Sequence, residues 1–462
     1  MSLGEDKIVG RVSDSVTRLA SELRRYWESA GGQIPSDWSI VPLESLLRDS
    51  KSIAVGVMYP GPDTPSGIPL IKVGDIKDGS IPLKPTYCVS EKTNEEHKRT
   101  QLVGDELLIT LVGNPGECVV VKPSMAGWNP ARAIAVIRLH DPSIRIYLKT
   151  VLESAASRHL IDAVLNTTVQ KTLNLKDIRK LPIPMPPSNT IKNISAIADV
   201  LTNRIALLRE TNATLEAIAQ ALFKSWFVDF DPVHAKQQGR EPEGMDTDNA
   251  MLFPDDFEES AVGLVPRGWQ VGTLGQITVS IKNQLPPSKL HADICYVGLE
   301  HIPRQSLSLT NWDNAQGLES AKAAFTKDDI LFGKLRPYFH KVTIAPFDGV
   351  CSTDILVCQS KNPAYYGIVA MYLFSTALVD YAARLSNGAK MPRINWKDLA
   401  AYPICIPPGS LAAEYTKAIK PLFDKMTENV HQAKTLTTLR DTLLPRLISG
   451  QLRLPDAEAA AA

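Results

Sequence analysis

Two long segments of the chain carry apolar side chains at heptad spacing. The spacing alternates between four and three residues from Ile194 to Leu222 and again from Tyr415 to Leu443, with Arg440 as the one charged defect. Asn212 and Asn429 stand on these otherwise apolar stripes. A narrow apolar stripe sustained for about four heptads predicts a helix that packs on another helix. We therefore predict that the two helices pair as a coiled coil within the chain, with the two asparagines setting its register.

Short apolar runs separated by Gly, Pro and Asn turns lead up to each long helix. Such runs predict β-strands, and a longer apolar stretch after them predicts a helix. Many short strands with few helices are typical of an α+β domain and not of a doubly wound sheet. The first half contains the predicted strands Leu70–Val73, Leu107–Leu111, Cys118–Val121 and Ala133–Ile137, with a helix near Tyr147–Ser157. The second half contains Ile294–Val297, Ile330–Phe332 and Ile355–Cys358, with a helix around Ile368–Arg384.

The second half of the chain repeats the first. Residues 174–187 read NLKDI and then LPIPMPP, and residues 395–408 read NWKDL and then YPICIPP, at an offset of 221 (395−174). An earlier anchor, 34–38 against 265–269, ends in tryptophan in both copies at an offset of 231 (265−34). The chain is therefore two copies of one unit, each ending in a proline-punctuated strand that leads into a long helix. We expect the two tryptophans to be buried.

These patterns divide the chain into seven segments. From Glu241 to Glu259 the connection between the two copies carries eight acidic residues and no basic one. Such a stretch favours an exposed, loosely ordered crossover. The predicted segments are an N-terminal helix (1–33), a first body (34–187), a first long helix (188–230), an acidic linker (231–264), a second body (265–408), a second long helix (409–453) and a tail (454–462).

Composition excludes several classes of protein. The 50 basic and 50 acidic residues give no net charge, which argues against bulk electrostatic attraction to nucleic acid but not against local basic patches. The six cysteines show no CxxC spacing, which favours free thiols in a reducing cytoplasm. No apolar run approaches the roughly 18–20 residues that span a bilayer, and no secretory leader is evident. We expect a cytoplasmic protein.

Three further strings give the chain a family resemblance. Residues 226–233 (WFVDFDPV), residues 252–269 (from LFPD to PRGW) and residues 443–450 (LLPRLISG) occur in this order around the repeat. Together they resemble the specificity (S) subunit of type I restriction–modification systems over residues 34–453. Residues 1–33 fit this pattern less well, and we assign them a helix of unknown role.

The resemblance implies both a fold and a function. It implies two pseudo-repeated target recognition domains, 34–187 and 265–408, separated by two long helices that form an antiparallel coiled coil. Each domain would read one half of a bipartite DNA site, and two modification (methyltransferase) subunits would dock on the assembly. We also expect restriction (ATP-dependent translocase and nuclease) subunits, although the sequence leaves their presence open. S-adenosylmethionine, ATP and Mg²⁺ would belong to those partners, and no cofactor would belong to this chain.

An antiparallel pairing of the helices makes a geometric prediction. If Asn212 faces Asn429, the residue numbers of each layer sum to about 641 (212+429). Arg440 then falls opposite Leu201 near one end. The predicted apolar layers are Leu215 with Met426, Ile205 with Leu436, Ala219 with Leu422, Leu208 with Ala433, and Leu222 with Ile419.

The sequence contains no recognisable catalytic motif. An amino-methyltransferase strip of Asn or Asp, two prolines and an aromatic is missing, as is a Gly-x-x-x-x-Gly-Lys-Ser/Thr phosphate loop. Asp229, Asp231 and His234 lie close enough in sequence to suggest a metal site, but helix capping and solvated charge explain them better. We predict a non-catalytic subunit. The alternatives are a self-contained methyltransferase or nuclease with an unrecognised active site, and a scaffold without DNA specificity.

Two pairs of loops are the candidate DNA contacts. The run 334–341 interleaves cations with aromatics, as a loop that grips phosphates and reads bases would. Its counterpart 113–116 is uncharged and could let the backbone approach DNA, or could be a simple turn. A second pair, 169–172 and 390–393, precedes the repeated NxKD and differs between the copies; contact with the helices is the alternative. The predicted contact residues are Lys334, Arg336, Tyr338, His340, Lys341, Lys390 and Arg393 in the second body, and Asn114, Gln170 and Lys171 in the first.

Overall fold

The chain folds into two compact units. A computed structural model describes residues 5–76, 79–81, 86–165, 171–261, 263–388 and 390–453, with side chains from residue 17 onward. Unit 1 consists of Met1–Ala206 together with Leu436–Ala462, and unit 2 of Leu207–Thr435. Each unit therefore contains one body and a part of both long helices.

Unit 1 is built on a four-stranded antiparallel sheet with helices beside it. Its helices are α1 (Glu5–Ser29), α2 (Glu91–Glu96), α3 (Arg145–Leu152), α4 (Ala155–Val164), α5 (Leu175–Arg179) and the first part of α6 (Ser188–Phe227). Its strands are β1 (Ser39–Pro42), β2 (Ile53–Val55), β3 (Ile68–Ile71), β4 (Cys88–Val89), β5 (Leu107–Thr110), β6 (Cys118–Val120), β7 (Asn129–Pro130), β8 (Ile134–Ile137) and β9 (Pro182–Met185). The strands form sheets in the orders β2-β8-β5-β6, β4-β3-β7 and β1-β9.

Unit 2 repeats this plan with additional strands. Its helices after α6 are α7 (Asp231–Gln237), α8 (Thr247–Met251), α9 (Leu274–Ile277), α10 (Tyr366–Phe374), α11 (Thr376–Leu385), α12 (Trp396–Ala400) and the part of α13 (Gly409–Ile448) that ends at Thr435. Its strands are β10 (Phe257–Ser260), β11 (Gly263–Pro266), β12 (Gln270–Thr273), β13 (Thr278–Ile281), β14 (Gln284–Leu285), β15 (Cys295–Val297), β16 (Asp313–Asn314), β17 (Lys322–Phe325), β18 (Ile330–Gly333), β19 (Val342–Ile344), β20 (Gly349–Cys351), β21 (Ile355–Ser360) and β22 (Pro403–Ile406). They form sheets in the orders β13-β21-β18-β19, β14-β17-β20-β15-β16, β12-β22 and β10-β11.

The sequence repeat is a repeat of structure. Ser39 pairs with Met185 in β1-β9, and Gln270 pairs with Ile406 in β12-β22. The first residues of these pairs differ by 231 (270−39) and the second by 221 (406−185), so equivalent residues of the two copies pair in the same register. The four-stranded sheets β2-β8-β5-β6 and β13-β21-β18-β19 share one strand order. The tryptophans that begin the copies, Trp38 and Trp269, are both buried as predicted. The α+β fold class is confirmed.

The apolar helix predicted over Ile368–Arg384 is two helices. It breaks at Ser375, whose hydroxyl accepts the Leu378 amide and so begins α11 as an N-cap. Ser154 begins α4 in the same way in unit 1. In the part of the chain that the structure describes, no single helix is long and apolar enough to cross a membrane. The pair on either side of Ser375 passes that test only together, across a bend of 60°.

The predicted register of the long helices is confirmed in unit 2. The Asn429 Nδ2 donates to the Asn212 Oδ1 at 2.8 Å, and the Asn212 Nδ2 donates to the Met426 carbonyl at 3.0 Å. The Tyr415 hydroxyl, from α13, donates to the Ala219 carbonyl of α6 at 3.2 Å. The seam residues Leu215, Ala219, Leu222, Ile419, Leu422 and Met426 all belong to one apolar core. In unit 1, Ile194 of α6 shares a core with Leu447 of α13, which continues the same sum of 641 (194+447).

The long helices bury more than the predicted seam. Phe423 and Val430 lie off that stripe and are buried as well, Phe423 within the core of unit 2. Glu216 is also off the stripe, and its Oε2 accepts the Leu307 amide at 2.6 Å and the Ser306 hydroxyl at 3.2 Å. Burial raises the pKa of Glu216 above its usual value. The helices therefore pack on the unit 2 body and not only on each other.

The acidic linker is folded, contrary to the prediction of a loosely ordered crossover. It contains α7, α8 and the hairpin β10-β11. Val233 and Phe253 are buried, and the ring of Phe253 lies 5.4 Å from that of Trp226, edge to face. The acidic side chains in between are mostly exposed. A few apolar side chains thus anchor the segment to the core of unit 2, in spite of its charge.

The asparagine pair makes a stability prediction. Asn429→Ala removes the donor to the Asn212 Oδ1 and leaves that oxygen in a buried seam, which we expect to lower the free energy of unfolding by ~1–3 kcal/mol. Replacing both asparagines with Leu removes both polar groups and should cost less than the two single Leu changes added together. Urea unfolding of the unaltered chain, the two single Asn→Leu variants and the double Asn→Leu variant measures this coupling. Thr214→Ala, at an exposed position, is the control. Purely additive losses would contradict the paired role.

Candidate nucleic-acid interface

The structure brings the two candidate loops of unit 2 together. We call residues 334–341 and 387–393 the second loop pair. Leu335 forms an antiparallel bridge with Arg393, and the Arg336 amide donates to the Pro392 carbonyl at 2.8 Å. The Arg336 Nη2 also donates to the Lys390 carbonyl at 3.1 Å. The bonded residues are more than 50 positions apart in the sequence, yet they form one continuous edge.

The side chains of the second loop pair differ in how free they are to contact a ligand. Tyr338 is 54% exposed, and Lys390 is exposed. Among the described residues, the ammonium groups of Lys334 and Lys390 have no hydrogen-bond or ion-pair partner. Arg393 already pairs with Asp354, at 3.0 Å between its Nε and the Oδ1. The two lysines are therefore the cations most available to a phosphate, while both arginines also hold the loops in place.

Two predicted contact residues are structural, which corrects the sequence-based assignment. His340 is 7% exposed, and its Nε2 donates to the Phe374 carbonyl at 2.8 Å. Burial lowers its pKa below the ordinary value in spite of that hydrogen bond, so the imidazole is neutral near pH 7. Lys341 is half-buried and donates to the Leu299 carbonyl, and burial, followed by the charge of Arg304, lowers its pKa. Since neither side chain offers a free cation, we remove both from the candidate contacts.

Arg304 is a candidate contact that the sequence did not indicate. Its guanidinium carbon lies 4.1 Å from the centre of the Phe339 ring, and the residue is exposed. The neighbouring Gln305 has a positive φ of 52°, and its amide donates to the His340 carbonyl at 2.9 Å. This turn places a further cation, Arg304, beside the second loop pair. Arg304 lies 30 residues before Lys334 (334−304), and no local motif connects them.

The equivalent loops of unit 1 also meet. We call residues 112–116 and 171–172 the first loop pair, because Val112 forms an antiparallel bridge with Thr172. Asn114 is exposed; its Nδ2 donates to the Glu117 Oε2 at 3.2 Å, and its carbonyl accepts from Thr110. Lys171 is exposed, whereas Gln170 lies outside the described residues. An amide and one lysine thus occupy the position where unit 2 has cations and aromatics.

Glycine conformation fixes the first loop pair. Gly113 and Gly116 have φ values of 86° and 88°, which strain any other residue. A side chain at Gly116 would also begin 3.0 Å from the Ile161 Cδ1, and the neighbouring Pro115 carbonyl accepts the Arg158 Nη1 at 3.1 Å. The loop is therefore shaped by its own backbone and by α4, and it presents Asn114 at a defined place.

Unit 1 also has a contact between a cation and an aromatic ring that the sequence analysis did not indicate. The Lys72 ammonium lies 3.4 Å over the ring of Tyr87. Lys72 precedes the 3-10 turn Val73–Asp75, and the Val73 side chain lies 3.4 Å from where a side chain at Gly113 would begin. The turn therefore borders the first loop pair and brings a cation near it.

The candidate metal ligands do not assemble into a site. Asp229 pairs with Lys224, and the His234 ring lies 4.6 Å from that of Phe257. Asp231 is in the first turn of α7, where a carboxylate is favourable. Over the described residues, no group of three or more His, Cys, Asp or Glu side chains could hold a metal ion.

Comparison with known proteins gives one consistent family. A family model of the type I restriction modification DNA specificity domain matches residues 62–217 and again 266–435. The chain is 22% identical over 456 residues to the type I restriction enzyme MjaIX specificity subunit of Methanocaldococcus jannaschii, covering 93% of this chain and 97% of that protein. It is 30% identical over 201 residues to the EcoBI specificity subunit of Escherichia coli, covering 41% and 42%. The crystal structure of a type I restriction-modification S subunit from M. genitalium has the same fold, with a TM-score of 0.54 at 16% identity, covering 91% and 96%.

Proposed function

This chain belongs to the family of type I restriction–modification DNA specificity subunits, whose function is DNA recognition, and we propose that its two units each read one half of a bipartite DNA target. The chain itself is proposed to be non-catalytic. It would position methyltransferase subunits over the target, and it would act in the cytoplasm. S-adenosylmethionine, ATP and Mg²⁺ would be bound by the partner subunits.

One observation carries the proposal of two readers. Each unit has a four-stranded sheet with the same strand order and an equivalent bridged loop pair, Val112 with Thr172 and Leu335 with Arg393. The framework around the loops is constant, whereas the loop tips differ: Asn114 and Lys171 in one unit, cations and Tyr338 in the other. Base edges in the major groove are distinguished by their donors and acceptors, so different side chains on one framework suit different half-sites.

The partner subunits are inferred from exposed apolar positions on the long helices. Ile218 of α6 is 44% exposed and Leu439 of α13 is 48% exposed. They are equivalent in the repeat, at an offset of 221 (439−218). Leu207, on the same face of α6 as Ile218, is exposed as well. Two equivalent apolar positions suit two copies of one partner, which supports the docking of two modification subunits; restriction subunits would join through them.

Substitution of these positions tests the stoichiometry. We expect Ile218→Arg and Leu439→Arg each to weaken the binding of one modification subunit by ~2 kcal/mol, or roughly 30-fold, because each buries a charge in an apolar contact. Native mass spectrometry should then detect complexes with one modification subunit in place of two. Ala213→Arg, an exposed position on another face of α6, is the matched control. Full two-subunit assembly in both variants would contradict these docking positions.

Single substitutions in the second loop pair test the reading of one half-site. We expect Arg336→Ala to cost ~1–3 kcal/mol in DNA binding if its guanidinium reads a guanine, and to relax specificity at that base. Lys334→Ala, which removes a phosphate contact, should weaken binding to all DNA sequences alike. It should also reduce the slope of log affinity against log salt concentration by about one. Fluorescence anisotropy of the assembled complex on targets altered in one half measures both. Lys171→Ala serves as control because it should affect the other half, and unchanged binding in the loop variants would remove this edge from the reader.

The function itself is tested by mapping methylated adenines. We expect cells that contain this chain and a modification subunit to methylate one bipartite sequence, and cells that lack the chain not to methylate it. The purified chain alone should transfer no methyl groups and bind DNA weakly, because its net charge is zero. Methyl transfer by the chain alone would favour the alternative of a self-contained enzyme. Equal affinity for specific and random DNA in the full complex would favour the scaffold.

A further inference from the structure

The two units have the same construction at the start of each long helix. The His140 amide donates to the Leu46 carbonyl at 3.0 Å in unit 1, and the Lys361 amide donates to the Ile277 carbonyl at 2.8 Å in unit 2. A 3-10 turn follows in both, Pro142–Ile144 and Pro363–Tyr365, each capped by the side chain before it. Positions 221 apart can therefore be compared directly here.

In unit 2, the space beside the helix start is filled. The Tyr365 hydroxyl donates to the Pro407 carbonyl at 2.9 Å and lies 3.8 Å from where a side chain at Gly409 would begin. The Thr416 hydroxyl is fully used: it donates to the Ala364 carbonyl at 2.7 Å and accepts the Gly367 amide at 3.0 Å. The phenol ring covers the beginning of α13.

In unit 1, the same place is an open groove of about 580 Å³. Ile144 stands where unit 2 has Tyr365, so it offers neither a ring nor a hydroxyl to the Pro186 carbonyl. Ser195 stands where unit 2 has Thr416; it lines the groove and is 8% exposed. Its hydroxyl has no hydrogen-bond partner among the described residues, which is costly for a buried polar group.

The lining of the groove indicates what could fill it. Leu46, Ile144, Met185 and Ile191 supply apolar walls, and the unpaired Ser195 hydroxyl is a polar group among them. Lys192 lies exposed at the rim, near Asp141. Apolar walls with a few placed polar groups are typical of a site for an aromatic side chain that carries a hydroxyl.

We propose that this groove binds a tyrosine side chain of a partner protein in the assembled complex, in the position that Tyr365 takes within unit 2. The phenol would donate to the Pro186 carbonyl, its ring would pack on Ile144 and Ile191, and a backbone group of the inserted segment would pair with Ser195. The inference rests on the proposed function only in taking a subunit of the complex, the modification subunit, as the partner. Because unit 2 fills its own site, one such contact forms per chain.

The groove is first tested without any partner, using 4-methylphenol as the probe. Saturation-transfer NMR on the full chain should detect binding that is lost in Ile144→Tyr, which supplies the internal phenol, and kept in Ile144→Leu, which does not. Tyr365→Ile should open the second groove and add a second binding site. Absence of binding to the unaltered chain, or binding that persists in Ile144→Tyr, would overturn the proposal.

Partner binding gives the second arm of the test. We expect Ile144→Tyr to weaken the binding of one of the two modification subunits at least tenfold while raising the melting temperature of the chain. Ile144→Leu should change that affinity less than threefold. Ser195→Ala, which does not fill the groove, should weaken the binding of the modification subunit by about threefold. It tests the groove independently if Ile144→Tyr does not fold. Unchanged affinity in both Ile144→Tyr and Ser195→Ala would overturn the proposal. If the unaltered chain bound no modification subunit, the proposed function would fail, and the 4-methylphenol arm would still decide whether the groove accepts a phenol.

Discussion

Replacing residues 265–408 with the equivalent body of a related chain is expected to change one half of the DNA target and leave the other half unchanged. Each wrong base pair costs ~1–3 kcal/mol, so a half-site with three changed bases should lose ~3–9 kcal/mol of discrimination. Methylation at the original target should therefore disappear, and a hybrid target should take its place. Sequencing of methylated adenines in cells that carry the exchanged chain measures the outcome.

The structure indicates how the exchange must be made. The body enters on β12 and leaves on β22, which pair antiparallel from Gln270 with Ile406 to Thr273 with Pro403, so the two junctions are neighbours. Trp269 and Ile404 belong to the same core as Phe227 of α6, and these apolar contacts must be kept. The reciprocal exchange of residues 34–187 is the control and should change only the other half. A change in both halves after either exchange would show that the units do not read independently.

Inserting one heptad into both long helices is expected to change the spacing between the half-sites but not their sequences. The units meet along the chain at Ala206/Leu207 in α6 and Thr435/Leu436 in α13, and 206+435 gives the same sum, 641, as the asparagine pair. Seven residues at both points keep the apolar stripe in phase and add ~10.5 Å of helix. This length corresponds to about three base pairs. The original target should lose methylation, and targets with a longer spacer should gain it.

The control for the spacer prediction is an insertion in one helix alone. Seven residues added only to α6 leave α13 one heptad short, and the layers beyond the insertion can no longer pair as before. We expect this variant to unfold at lower urea concentration than the double insertion. The spacer role of the helices would be contradicted if the double insertion altered the bases recognised while the preferred spacing stayed the same.

Local patterns in the sequence determined the two long helices, their register and the strand that ends each body. The heptad stripe identified α6 and α13 because a side chain meets the same face every three or four residues, and one buried asparagine in each helix was enough to align them. The repeat of the proline-punctuated strand located β9 and β22, and the anchors at 34–38 and 265–269 lead into the strands β1 and β12 that pair with them. These features depend on neighbours within a few residues or on comparison of the chain with itself.

Only the tertiary structure decided which polar and apolar side chains are covered, because that depends on groups far away in the sequence. His340 looked like a cation of an exposed loop, but α10 buries it and keeps it neutral. Glu216 lies off the apolar stripe of α6, yet it is buried, and its carboxylate accepts hydrogen bonds from Ser306 and Leu307. Arg304 packs on the ring of Phe339, and Phe253 of the acidic linker packs on Trp226 in the core of unit 2. No local sequence pattern indicates either contact. The sequence thus specified where the candidate DNA-contact loops occur, whereas packing between distant segments determined which of their side chains are free.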